Sequence, residues 1–293
     1  MKKEMNYEIK NEHIKAKIKS FGAELNSLQK IDEDLEYIWQ GDSKYWNRHS
    51  PILFPIVGRL KDDSYFYKNQ KYNMTQHGFS RDKEFELVKN EADFIEFKLC
   101  GDEKSLEIYP FSFELYLSYK LEKSSLIVAY KVVNKSDDKM LFSIGAHPAF
   151  NWTLKEDEKK EDYFLEFENI KETKRYFLND LGLVYKNEDL KIIDNKIALN
   201  EELFKNDALV FEDFNIKTLT LKNSKNENFV KLNFENFPYL GIWSKPSGAP
   251  FICIEPWFGV ADDQNSNQNF EDKNGIISLE KDEIFSCFYS IEI

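Results

Sequence analysis

Positive charge is in short supply in this chain. Its 40 Lys and Arg stand against 52 Asp and Glu, for a net charge of −12. That balance argues against a nucleic-acid partner and against an anionic membrane surface. Long apolar runs are missing too, and no stretch approaches the length of a transmembrane helix. The first residues, Met1-Lys2-Lys3-Glu4-Met5-Asn6-Tyr7, contain no apolar h-region and read as no signal peptide. Cysteine is limited to Cys100, Cys253 and Cys287, an odd number with no paired spacing. Each sits among apolar neighbours, which reads as buried free thiols in a reducing compartment. A cytoplasmic location is the expectation.

Other absences narrow the chemistry. No two histidines have zinc-like spacing and no cysteine pair exists, so no metal site is expected. A Gly-x-Ser-x-Gly elbow is absent, which weakens a Ser-His-Asp reading. Phosphate loops of the Gly-x-x-x-x-Gly-Lys type are absent as well. There is no repeat, no low-complexity segment and no Gly/Pro/Ser linker. Residues 1–293 are therefore expected to form a single domain.

Aromatic residues are abundant at 15%, with 25 Phe and 15 Tyr, and suit half-buried pleated surfaces better than helix faces. The clearest pattern runs from Phe113 to Val133. Phe113, Leu115, Leu117, Tyr119 and Leu121 alternate, as do Leu126, Val128, Tyr130 and Val132. This predicts an antiparallel hairpin with one face in a core. A second hairpin is expected around Lys68-Asn69. Further short strands are expected at Tyr37–Gln40, Leu141–Ile144, Gly241–Trp243 and Leu279–Ile293, the last with Phe285, Cys287, Tyr289, Ile291 and Ile293 alternating, among others. No helical period of useful length appears, apart from a turn or two within Leu199–Asn206. Many short strands separated by turn signals argue for an all-β fold, sandwich-like in type.

One stretch organises the rest: Phe251-Ile252-Cys253-Ile254-Glu255-Pro256-Trp257-Phe258-Gly259-Val260-Ala261-Asp262. It starts as an apolar strand and reaches a carboxylate that is costly to bury without a partner or a use. Pro256 has no N–H to donate, so the ladder is expected to stop there and leave Glu255 at a sheet rim. His147 precedes Pro148, is biased toward extended backbone, and reads as another strand end. A histidine and a glutamate facing each other across a cleft can serve as general acid and general base. Two more segments attract attention. Ser50-Pro51-Ile52-Leu53-Phe54-Pro55-Ile56-Val57-Gly58-Arg59-Leu60 is apolar yet must be irregular, like a buried loop that lines a site. Gln76-His77-Gly78-Phe79-Ser80-Arg81-Asp82 gathers a histidine, a glycine and an arginine. Trp152, Trp243 and Trp257 fit stacking on the apolar faces of a sugar, or plain core.

These four segments occur in an order that resembles the aldose 1-epimerase (galactose mutarotase-like) family, nearest its LacX-like branch. The resemblance covers nearly the whole chain. It implies a large antiparallel β-supersandwich and interconversion of the α and β anomers of an aldose. It also implies roles: His147 as the acid that protonates the ring oxygen, and Glu255 as the base at the C1 hydroxyl. His77, Arg59 and Asp207 would bind sugar hydroxyls; Arg81, with Arg59 and Lys83, would hold a 6-phosphate, since arginine binds phosphate bidentately, the alternative for Arg81 being an ion pair with Asp82 or Glu84. No cofactor is called for, because both steps are proton transfers. The implied partner is a small sugar or sugar phosphate, with no nucleic acid and no membrane; a homodimer is compatible with it. Members acting on free galactose carry His-Ser-Tyr-Phe-Asn-Leu where this chain has His147-Pro148-Ala149-Phe150-Asn151-Trp152, so galactose specificity is not implied. Two other readings stand beside this one: a sugar-binding or regulatory protein of the same fold, and a glycoside hydrolase using Asp207 and Glu255 as paired carboxylates.

Overall fold

The computed structural model describes residues 5–168, 170, 172–212, 215–227, 229–246 and 248–293. The alternation from Phe113 to Val133 becomes a hairpin of strands Phe113–Glu122 and Ser125–Asn134, paired from Phe113↔Asn134 to Glu122↔Ser125. Phe113, Leu115, Leu117, Tyr119 and Leu121 are buried, and so are Leu126, Val128, Tyr130 and Val132. Period-two alternation puts them all on one face.

That hairpin lies inside a nine-stranded antiparallel sheet. On one side it pairs with the C-terminal strand Ile284–Glu292, on the other with Phe94–Cys100. A second, eight-stranded sheet runs in the order Val184–Lys191, Glu172–Leu178, Leu209–Glu212, Tyr239–Trp243, Phe251–Phe258, Ile144–Ala146, Ile52–Leu53. The strand Ala149–Asn151 also pairs with Phe251–Phe258. The two large sheets share one core: Leu115, Leu117 and Val128 from the first join Leu209, Phe211, Leu240, Ile242, Ile252 and Ile254 from the second. A three-stranded N-terminal sheet and a small hairpin at Lys68-Asn69 complete the main β structure. Lys68 and Asn69 have φ of 49° and 63°, as a two-residue type I′ turn requires. The fold is all-β, as expected. Among the described residues no helix is long and apolar enough to cross a membrane.

Several expectations need correction. A short helix, Glu103–Ile108, forms where no helical period was legible. Its signal is local: the Asp102 side chain accepts from Ser105 N–H, and the Ser105 hydroxyl accepts from Asp102 N–H. Tyr37–Gln40 is no strand; Ile38 makes only an isolated bridge to Phe150. Leu141–Ile144 is divided at Ser143 between two partners, with Met140–Phe142 pairing Ile277–Leu279 and Ile144–Ala146 joining the eight-stranded sheet. Cys100 is exposed, because Ile95, Phe97 and Leu99 take the inward positions and leave it outward; only Cys253 is fully buried. Pro256 does not end its strand. Phe251–Phe258 runs straight through it, with Leu240↔Pro256 and Tyr239↔Trp257 in register on one side. The missing N–H falls on the other side, the one toward which Ile254 N–H donates to Pro148 O. There the neighbouring chain leaves the sheet between Ala146 and Ala149, so no ladder bond is lost.

Candidate active site

Strand period decides what the face opposite the core presents. In Phe251–Phe258, Ile252 and Ile254 enter the main core, while Phe251, Cys253, Glu255 and Trp257 point to the other face. Trp257 lies flat over two glycines. A Cβ on Gly241 would come within 2.4 Å of its Cη2, and one on Gly145 within 2.6 Å of its Cδ1. The indole N–H donates to Ala146 O at 3.2 Å. The ring thus forms a floor, and Glu255, 1% exposed, stands beside it opposite Gly241.

His147 arrives from the adjoining chain. Ile144–Ala146 and Ala149–Asn151 both pair with Phe251–Phe258, at Gly145↔Trp257 and Ala149↔Cys253. His147 and Pro148 span the gap between these anchors, which places His147 Nε2 3.2 Å from Glu255 Oε2. Trp46 stacks on the imidazole at 4.9 Å, and Trp243 and His77 meet it edge-on at 5.9 Å and 5.7 Å.

His77 sits in the left-handed region, φ 67°, and Gly58 nearby has φ 73°. The two residues lock together: His77 N–H donates to Gly58 O at 2.9 Å, and Gly58 N–H donates to His77 Nδ1 at 3.1 Å. A nitrogen that accepts carries no proton, so the ring is held as the Nε2–H tautomer. No side chain fits at Gly58, where a Cβ would lie 2.5 Å from the Ala261 backbone.

These residues line a cleft of about 340 Å³, together with Gln76, Arg81, Asp207, Val210, Gly182 and Ala261. That volume lies at the small end of ligand sites and suits a monosaccharide. Arg81 donates to Gln76 O at 2.7 Å, while its buried Nε lacks a hydrogen-bond partner and lies 3.9 Å from Asp82 Oδ2. Asp207, φ 72°, accepts from the N–H of Ala208 and is exposed at the cleft wall.

Burial sets the electrostatics. It pushes the His147 imidazole down to about 3, helped by the positive charges of Arg81 and Arg48. It pushes the Glu255 carboxyl well up, helped by Asp207. His77 is held well below its usual range by burial, then by His147, Arg81 and Arg48. Arg81 is lowered to about 10 by burial and by Arg48, and so remains charged at neutral pH. Both members of the central pair therefore favour their uncharged forms. Together they hold one proton between them across the neutral range.

Of the residues singled out from sequence, His147, Glu255, His77, Arg81 and Asp207 meet in this cleft. Arg59 does not. Its guanidinium makes a bidentate pair with Asp63, at 2.8 Å for both contacts, beside Gly182 at the edge. Trp243 and Trp257 line the cleft, whereas Trp152 is buried in the main core against Phe204. Trp46 and Gln76 were not assigned to a site from sequence. Trp46 lies in the aromatic and basic run Lys44-Tyr45-Trp46-Asn47-Arg48, and Gln76 directly precedes His77. Spacing along the sequence also hides a cluster: His147, Cys253 and Glu255 place one ligand atom each within 4.8 Å of one another. Cys253 and Glu255 share one strand face, and His147 reaches them from the gap between two strands that pair with it, a meeting that sequence spacing does not register.

A family model described as aldose 1-epimerase matches residues 5–271. The chain belongs to the aldose 1-epimerase family. Protein LacX of Lactococcus lactis subsp. lactis, in its plasmid form, is 34% identical over 278 residues, covering 92% of this chain and 93% of that protein. A galactose mutarotase related enzyme from Lactobacillus acidophilus, solved by X-ray diffraction, is 37% identical with a TM-score of 0.95; the match covers 98% of this chain and 97% of that one. A galactose mutarotase-like protein from Lactobacillus casei is 32% identical with a TM-score of 0.92, covering 98% and 99%. The β-supersandwich of the family is thus the fold of this chain, and the cleft lies on its eight-stranded sheet.

Proposed function

We propose that the protein is an aldose 1-epimerase that interconverts the α and β anomers of a hexose or a hexose phosphate. The observation that carries this reading is the buried His147–Glu255 pair, Nε2 to Oε2 3.2 Å, in a sugar-sized cleft. Anomer exchange needs one proton delivered to the ring oxygen and one removed from the C1 hydroxyl. His147 supplies the first from Nε2, and Glu255 accepts the second. The bond from C1 to the ring oxygen breaks, its electron pair stays on that oxygen, and C1 becomes a carbonyl. Rotation about C1–C2 turns the other carbonyl face to the hydroxyl. Closure reverses both transfers and returns each proton to its source, so nothing is consumed.

Burial alone favours neutral His147 and protonated Glu255. A C1 hydroxyl donating to Glu255 and a ring oxygen accepting from His147 both favour the charged arrangement. Substrate binding then moves the shared proton onto His147, ready for transfer. His77 Nε2–H and the Arg81 guanidinium are positioned donors for sugar oxygens as charge develops on them. Trp257 and Trp243 offer flat apolar faces to the ring.

The test is exchange-transfer NMR on a panel of free and 6-phosphorylated aldoses. The reading predicts anomer exchange above the buffer rate for at least one sugar. Binding by calorimetry with no such rate for any sugar would favour a carbohydrate-binding protein of the same fold.

A further inference from the structure

Cys253 has no part in the proton transfers, yet it stands beneath them. It lies two positions before Glu255 on the same strand face and is fully buried, with Ala149 opposite it in the ladder. His147, Cys253 and Glu255 place a nitrogen, a sulfur and an oxygen within 4.8 Å of one another. The 3.2 Å between His147 Nε2 and Glu255 Oε2 matches the edge of a tetrahedral zinc site, about 3.3 Å for bonds of about 2.0–2.1 Å. A second observation points the same way. Glu255 Oε2, a proposed ligand atom, is buried without a hydrogen-bond partner. Buried polar atoms left unpaired ask for an explanation, and an ion is one.

We infer that Cys253 Sγ, His147 Nε2 and Glu255 Oε2 form a binding site for a thiophilic divalent transition-metal ion, with Zn²⁺ as the type case. One thiolate, one imidazole and one carboxylate make a donor set suited to zinc, and three protein ligands leave a fourth position open toward the cleft. On coordination the thiol and the Glu255 carboxyl each lose a proton to solvent, and the imidazole stays neutral with its proton on Nδ1. The ion engages both members of the catalytic pair, so it blocks the proposed reaction. That consequence rests on the epimerase reading; the binding itself does not.

The experiment uses the full chain carrying Cys100→Ser and Cys287→Ser, which removes the other two thiols. Zn²⁺ is titrated against a chromophoric chelator, and Co²⁺ is followed by absorption. The expected result is one Zn²⁺ per chain and a Co²⁺ spectrum with a thiolate charge-transfer band and intense tetrahedral d–d bands. Adding Cys253→Ser abolishes that band and weakens Zn²⁺ binding on the order of 100-fold or more, beyond the range lost with outer-shell partners. Thermal melts check that the variant folds, and Cys253→Ala replaces it if it does not. No Zn²⁺ binding before Cys253 is changed, binding unaltered by its loss, or a Co²⁺ complex without the thiolate band would each overturn the inference. A protein that binds Zn²⁺ in this way but exchanges no sugar would sink the epimerase reading alone.

Discussion

His147 Nε2 and Glu255 Oε2 lie 3.2 Å apart, and both side chains are almost fully withdrawn from solvent. Burial lowers one pKa and raises the other, so a single proton shared by the pair is its stable state over a wide range. The acid limb of activity is governed by the lowered His147, at about 3, and the alkaline limb by the raised Glu255. The profile of kcat/KM against pH should stay level through about pH 6–7, where an unperturbed imidazole titrates. An acid limb near pH 6.5 would count against a shared proton.

The same shifts act on stability. Glu255 ionises near 4.5 when unfolded and much higher when folded. Above about pH 4.5 the unfolded chain therefore binds fewer protons than the native one, and stability falls as pH rises toward the folded value. Glu255→Gln removes this penalty. Its melting temperature should exceed that of wild type at pH 7–8, by a margin that grows between about pH 5 and 7. Calorimetric melts across pH would show it, and an equal or lower Tm at every pH would contradict it.

Lys273 and Asp262 form a second buried pair, 3.1 Å apart and 2% and 4% exposed. Lys273 Nζ also donates to Val260 O at 2.6 Å, and Asp262 Oδ2 accepts from Lys61 N–H at 3.0 Å. The pair therefore ties down Val260 and Ala261, which line the cleft. Asp262→Asn leaves the ammonium buried without its counter-charge and is expected to cost about 3–5 kcal/mol by urea denaturation.

Gly241→Ala tests the floor. The new methyl would lie 2.4 Å from Trp257 Cη2, so the indole must lift toward the cleft. We expect a loss of about 1–3 kcal/mol of stability from overpacking together with a higher KM. Unchanged KM and Tm would mean that Trp257 is not packed as described.

Arg81→Lys keeps the charge but loses the planar fork whose Nε is free for a ligand. A loss of about 10-fold or more in kcat/KM is expected, on the scale of a charged hydrogen bond of about 1.5–3 kcal/mol. A much larger loss for a 6-phosphate than for the free sugar would assign Arg81 to phosphate, whereas equal losses would assign it to a hydroxyl.

Much of this fold was legible because its strands have one wet face. The run from Phe113 to Val133 alternates without interruption, and the register follows from it. Strands with little burial gave no such signal. In Val184–Lys191 only Val184 is buried, and Glu172–Leu178 buries just Thr173 and Tyr176. Pro256 misled because a sequence shows the missing donor but not the neighbour that has already left the ladder. His147, His77, Arg81, Asp207 and Glu255 were legible as a set through their motifs. Trp46 was not, since it reaches the cleft through tertiary packing that no local pattern encodes.

The central claim is that His147 and Glu255 together move the protons of anomer exchange. The most direct measurement is exchange-transfer NMR on the best substrate of the wild type, made with His147→Ala, Glu255→Gln and the double variant, each verified as folded. Loss of a general acid or base is worth about 10²–10⁴ in rate. The account predicts a fall of that size in each single variant, and a double variant little slower than either, because the two residues act as one unit. Single variants that exchange anomers as fast as wild type would contradict it.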